Sequence, residues 1–471
     1  MSKKQRTQLP RVNQLKVAFT GKAVTAFGGL PLTVAKFFEQ IDLRGWTERS
    51  VPVTETSPNA KGVYEKFLGL FLTILAGGRR FAHLIYFRHG MEVLQKAFGT
   101  DWLPQSTSVV TRFFKKFDRQ SIAEKFREEG CSLSRWLWWD LEGIKEDNLN
   151  FDSSVCVRYG RQQGANRGYN PKKPGRGSHH PLIAFLGSGF VANLWNRSGN
   201  TSSAGGIKGF FEQTRLILGE SFRVKRVLCD SGFYLIAFIK HLEGLTFRYI
   251  IAARICRALQ REIRKIIRWE EIEEGIEVAE FRFKHAAKGW DRERRYVVVR
   301  QAIAIRPRAS GKQPSLFKEL EPYNQYRYSL YITNDEQAEA VEIWREYRPR
   351  ACDENVVKVL KEDYGLDGFC LDNFWATEAV MVASAVIFYN LMHYLTRNFI
   401  APQGPHPQLK TLRARLFIIP AILGRDGRQS VIRVAVKDRK TRGKLISLLH
   451  RISNLSSTLP NSIAVVGAQG P

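Results

Sequence analysis

The chain has 471 residues, of which 44% are hydrophobic and 12% aromatic. That excludes a disordered chain and allows roughly two to four cored domains of ~100–200 residues each. The formal net charge of +28 points to a polyanion. The cations are spread along the chain rather than gathered on one amphipathic helix, so nucleic acid is the expected partner and a membrane is not.

Residues 1–15 are polar and basic, an expected flexible arm without the apolar run of a secretory signal. From about 16 to 145 the pattern is helical, with apolar stretches such as Phe67–Leu75 and a helix expected from Phe81 to Phe98. After Gly99-Thr100-Asp101-Trp102-Leu103-Pro104, a helix opens at Ser106 and carries Arg112, Lys115 and Lys116. Two readings stay open for it: a helix-turn-helix reader of DNA, or a packing helix with a solvated basic face. Trp136, Trp138 and Trp139 read as a core or inter-domain anchor. The six cysteines form no Cys-x2-Cys pair and no ligand spacing with histidine. They read as small buried residues of a reducing cytosol, not a zinc site.

At Asn148 the period changes. A strand carries Asp152, a Gly/Lys/Arg loop spans about 160–180, and strands follow at Pro181–Leu186 and Phe190–Trp195. His179 and His180 read as packing or capping residues. A helix is expected from Ser202 or Ser203 to about Gly219, then a strand ending at Asp230, a helix to His241, and a strand at Tyr249–Ala253. Asp152 lies inside a strand-like run and Asp230 where a strand ends. Acids at the carboxyl ends of strands sit where open α/β sheets bind ligands, although Asp230 beside Gly232 also fits a plain helix cap. Residues 254–340 are β-rich, at Val278–Lys284, Arg295–Arg300 and Tyr326–Ile332, and contain Trp290 amid arginines.

The stretch from Tyr347 to Lys361 reads mostly as a helix with Pro349 in its first turn. Arg350, Glu354 and Lys361 fall on one narrow face, and Cys352, Val356, Val359 and Leu360 on roughly the opposite one. A solvated, charge-paired face is the ordinary reading. Against it, Glu354 with Asp152 and Asp230 makes a three-carboxylate set whose hard oxygens suit Mg²⁺ or Mn²⁺. Phe374–Phe399 follows as a long apolar helix; its most apolar run, Ala379–Leu395, is interrupted by Asn390 and His393, falls short of a ~20-residue membrane span and reads as buried. A hairpin is expected from Leu416–Leu423 and Val431–Val436, turned at Gly424-Arg425-Asp426-Gly427, then a basic helix from Arg439 and a loose tail beyond 453.

The spacing Tyr347-x2-Arg350-x3-Glu354-x6-Lys361 resembles the signature of the DDE transposases of bacterial insertion sequences, closest to insertion-sequence family 1380. The runs around Asp152 and Asp230, Gly168–Arg176 and Arg197–Ser203 are similar to that family's blocks, and the resemblance covers about residues 60 to 450.

It implies an α/β fold with a ribonuclease-H-like catalytic domain. An α-helical, DNA-binding N-terminal domain (1–147) precedes a catalytic core (148–253 and 341–400), and the β-rich insertion (254–340) lies between the second Asp and the Glu. A C-terminal region (401–471) follows. Asp152, Asp230 and Glu354 would be catalytic and hold two Mg²⁺ ions, with Mn²⁺ able to substitute. Tyr347, Arg350 and Lys361 would contact the DNA backbone; Lys172, Lys173 and Arg176 would line the substrate groove; Trp290 would stack in place of a flipped base. The expected activity is cut-and-paste transposition by a homodimer in the bacterial cytoplasm, acting on double-stranded terminal inverted repeats and target DNA. A retired transposase acting as a repressor, or a nuclease that joins no strands, are the alternatives.

Overall fold

The computed structural model describes residues 13–459 apart from 56, 58, 88, 172, 287–288, 306–324 and 457, and leaves out the side chains of 87 and 351–354. Most of the arm expected at 1–15 and of the tail beyond 453, as well as Lys172, therefore lies outside the described residues.

A nine-stranded mixed sheet organises the chain. Its strands are β1 (Glu146–Ser153), β2 (Leu182–Leu186), β3 (Val191–Trp195), β4 (Arg223–Cys229), β5 (Tyr249–Ala252), β6 (Glu270–Glu273), β7 (Ile276–Phe283), β8 (Arg294–Ala302) and β9 (Tyr326–Thr333). The spatial order is β6-β7-β8-β9-β5-β4-β1-β2-β3. β1, β4 and β5 run parallel, and the strands on both sides of them pair antiparallel. β2 is buried at every position, as a strand covered on both faces must be, which is why its sequence is a continuous apolar run. The β-rich block continues this same sheet: β9 pairs with β5 through Tyr331↔Ala252, Ile332↔Ile251 and Thr333↔Ile250.

Two helices connect the central strands, α2 (Ile207–Leu218) and α3 (Ile236–Gly244), after an earlier helix α1 (Gln120–Arg135). Phe151 of β1 packs between Phe210 and Phe211 of α2 and Phe238 of α3, with ring centroids 5.8, 6.0 and 6.4 Å away. Since side chains alternate along a strand, Asp152 points to the other face. Beyond the sheet come α4 (Ala340–Tyr347), a 3₁₀ turn at Arg348–Arg350, α5 (Ala351–Glu362) and α6 (Phe374–Ile400).

α6 is long and apolar enough to cross a membrane by length and composition, yet 94% of its most apolar window is buried inside the protein. It is the central core helix. Its Glu378 pairs with Arg127 of α1 and accepts a hydrogen bond from the Asn196 amide at 2.9 Å, all three residues being buried. One ion pair therefore ties the N-terminal helices, the sheet and the core helix together.

Several local expectations are corrected. Phe81–Phe98 is not one helix but a 3₁₀ segment, Phe81–Phe87, and a helix, Met91–Ala97, because Gly90 adopts φ +88° between them. The 160–180 loop carries part of a small antiparallel sheet of Cys156–Val157, Asn166–Arg167 and Gly177–His179. The C-terminal hairpin pairs Ala421–Asp426 with Gln429–Val434 and turns at Gly427 and Arg428, while Leu416 lies in the helical segment Arg413–Phe417.

Candidate active site

β1 and β4 are parallel, with Phe151 opposite Cys229. The next residue on each strand is an aspartate, so Asp152 and Asp230 emerge side by side at the carboxyl end of the sheet. Asp152 Oδ1 accepts from the Ser153 amide at 2.8 Å. Asp230 Oδ1 caps the following 3₁₀ turn by accepting from the Gly232 amide at 2.7 Å, and its Oδ2 makes no hydrogen bond among the described residues. The cap is real, and the carboxylate still faces a cleft.

That cleft measures ≈ 730 Å³ and is lined by both aspartates, Tyr169, His180, Ser203, Lys358 and Lys361, among others. Glu354 stands on α5, seven residues before Lys361; its side chain lies outside the described residues. Among the described residues no three ligating side chains cluster. The donor chemistry fits a hard divalent cation all the same: Asp152 and Asp230 share the cleft, Glu362 and Asp367 also line it, and Glu354 stands on the helix that supplies Lys358 and Lys361 to its wall. A second groove, of ≈ 720 Å³, is lined by none of these residues.

The cations of the signature are drawn inward: Lys361 is partly buried. Arg350 is 6% exposed. Its Nη2 donates to the Phe151 carbonyl at 3.1 Å and lies 3.8 Å from Asp152 Oδ1. Burial works against its charge, but Tyr347, Asp152 and Asp230 around it more than offset that and raise its pKa. Tyr347 donates its hydroxyl to the Cys229 carbonyl at 3.0 Å, and Lys361 Nζ donates to the Val155 carbonyl at 2.8 Å. Tyr347, Arg350 and Lys361 thus hold backbone around the two aspartates.

The other expected contacts are scattered. Lys173 and Arg176 are exposed beside the cleft; Lys173 bonds the Tyr159 hydroxyl, and both cations lie over the Tyr159 ring, at 4.8 and 5.8 Å. Arg112 is exposed on the helix Thr107–Phe114, which Ser106 caps. Lys115 pairs with Asp372 at 3.4 Å and Lys116 with Glu55 at 2.9 Å. Trp290 is 5% exposed, packed on Tyr234 and His285 and covered by Arg294 at 5.2 Å. Its ring is not presented to solvent.

Sequence reasoning assigned no role to Arg197, which is buried and donates to the carbonyls of His180, Ser202, Ser203 and Gly205. It folds the Gly/Ser-rich run that brings Ser203 to the cleft. Burial lowers its pKa to about 10. The same run packs against Gly168: a methyl group there would come within 1.9 Å of the Gly199 carbonyl oxygen. The signal was the small-residue composition of both runs; their mutual contact was not visible. His179 and His180 are buried, and their ring nitrogens meet Gln163 and Thr201 carbonyls at 2.9 Å, as packing residues do.

The family described as transposase DDE domain, group 1, matches residues 8–457. No curated protein matches the chain. Among solved structures, one of a piggyBac transposase synaptic complex with hairpin DNA is similar at 12% identity, covering 84% of this chain and 82% of that one, with a TM-score of 0.38.

Proposed function

The chain belongs to the transposases with a group 1 DDE domain, and within that family we propose a cut-and-paste enzyme acting on the terminal inverted repeats of its own element. The observation that carries this reading is the Phe151↔Cys229 register, which puts Asp152 and Asp230 together at one lip of the cleft. Glu354, on α5, is the proposed third carboxylate. We read β3-β2-β1-β4-β5 as a ribonuclease-H-like core, with 254–340 as an insertion extending its sheet, 1–147 as the DNA-binding helical region and 401–471 as a C-terminal region.

Two Mg²⁺ ions, or Mn²⁺ in their place, when held by the three carboxylates, supply an activated water and charge stabilisation at the scissile phosphate. The chain's own part is to position. Asp152 and Asp230, at adjacent strand ends, and Glu354 on α5 would hold these ions. Lys358 and Lys361, in the cleft wall, and exposed Lys173 and Arg176 beside it draw in the DNA backbone. Lys172 and Arg112 are proposed as further DNA contacts, Lys115 and Lys116 on release from their carboxylates, and Trp290 takes a base only on leaving its packing. Two chains act together, one for each end, on the DNA of a bacterial cytoplasm.

The test is a plasmid carrying both ends around a marker, incubated with the protein, Mg²⁺ and a target plasmid. Joining of the marker to the target through its 3′ ends is expected. Cleavage without joining indicates a nuclease, and binding without cleavage a repressor.

A further inference from the structure

We propose that Tyr347 and Arg350 are positioning residues, a two-pronged clamp that sets the metal-binding end of β1 and β4 before DNA arrives. The proposal rests on the three-carboxylate reading above and adds what holds two of those carboxylates in place. Each prong takes one strand. The Tyr347 hydroxyl donates to the carbonyl of Cys229, the residue before Asp230, at 3.0 Å. Arg350 Nη2 donates to the carbonyl of Phe151, the residue before Asp152, at 3.1 Å. Cys229 and Phe151 are partners in the parallel ladder, so the two bonds grip one rung, the last before the aspartates.

The prongs are joined to each other. Arg350 Nη1 lies 3.5 Å from the Tyr347 hydroxyl, and the guanidinium sits 5.8 Å from the Tyr347 ring centre. The 3₁₀ turn Arg348–Arg350 between α4 and α5 sets their spacing, and it leads directly into the helix that bears Glu354. A shift of that turn therefore moves all three carboxylates relative to one another.

Charge completes the argument. Two carboxylates side by side repel each other. Arg350, 3.8 Å from Asp152, counters that repulsion without occupying the cleft, since neither it nor Tyr347 lines the cavity. Arg350 is 6% exposed and its Nε makes no hydrogen bond among the described residues. A guanidinium kept there at a desolvation cost holds a structure that the cleft needs. Groups behind metal ligands act this way: they orient the ligands, and removing one weakens metal affinity about 10–100-fold.

The experiment measures Mn²⁺ binding by electron paramagnetic resonance on the full chain without DNA, and duplex binding in EDTA, for wild type, Tyr347→Phe, Arg350→Lys and Asp230→Asn. Tyr347→Phe keeps the packed ring and removes the hydroxyl; Arg350→Lys keeps the charge and loses the planar fork. Each is expected to weaken Mn²⁺ binding about 10-fold at a temperature where thermal melting shows the variant still folded, with duplex binding unchanged. Unchanged Mn²⁺ affinity with weakened duplex binding overturns the clamp and makes both residues direct DNA contacts. A wild type that binds no Mn²⁺, or an Asp230→Asn that binds it as well as wild type, overturns the three-carboxylate reading and the clamp with it.

Discussion

Phe151 and Cys229 face each other across the parallel pair β1/β4, and an aspartate follows each. Asp230 serves the fold as well as the cleft, because its Oδ1 caps the 3₁₀ turn at Ser231–Phe233. Asparagine can make the same cap, alanine cannot. Asp230→Asn is therefore expected to melt with wild type, and Asp230→Ala to lose about 1 kcal/mol in denaturant titration. Equal losses in the two variants would mean that charge, not the cap, gives Asp230 its structural value.

Arg127 and Glu378 form a buried ion pair between α1 and α6. Burial raises the Glu378 pKa, and Arg127 offsets part of that rise. Removing one partner strands the other charge, so Arg127→Met is expected to cost about 3–5 kcal/mol. The double variant Arg127→Met, Glu378→Met should recover most of it. Urea unfolding of wild type, Arg127→Met, Glu378→Met and the double variant checks the cycle, and additive losses in the double variant would count against a coupled pair.

His179 is fully buried, and burial, with Arg158 beside it, lowers its pKa to about 4. The unfolded chain titrates this group near 6.5. Between those values the unfolded state binds the extra proton, so stability falls as pH drops from about 6.5 to about 4 and is flat above that window. The shift corresponds to about 3 kcal/mol. Unfolding midpoints at pH 7 and pH 4.5 should differ more in wild type than in His179→Gln; equal pH slopes would remove His179 from the account.

Lys173 and Arg176 stand exposed beside the cleft. As phosphate contacts, each would release about one counterion on binding. Lys173→Ala and Arg176→Ala should weaken duplex binding for any sequence and reduce the log–log salt slope by about 1 each. An unchanged slope would make them a solvated loop.

The strands bearing Asp152 and Asp230 were legible because Leu149 and Phe151 alternate with polar residues up to Asp152, and the apolar Val227-Leu228-Cys229 stops at Asp230 just before Gly232 opens a turn. The burial of Arg350 was not, since Arg, Glu and Lys on one helical face have the pattern of a solvated one. Only the tertiary fold brings in Phe151, 199 positions away. The Tyr347 hydroxyl likewise reaches across 118 positions to Cys229, a distance no periodicity encodes. Trp290 illustrates the opposite error: arginines around an aromatic suggested an exposed stacking ring, while in the fold Arg294 covers it and it is 5% exposed. The hairpin slipped because Leu416 and Ile418 look strand-like, but residues 413–417 complete a helical turn instead.

The most direct measurement is cleavage of a labelled duplex carrying the element's own end, by wild type and Asp230→Asn, with Mg²⁺ and with EDTA. The account predicts nicking at the end by wild type in Mg²⁺ alone, and a loss greater than about 100-fold in Asp230→Asn while it still binds the duplex. Tight binding by wild type with no cleavage in Mg²⁺ or Mn²⁺, or cleavage that survives in Asp230→Asn, would contradict it.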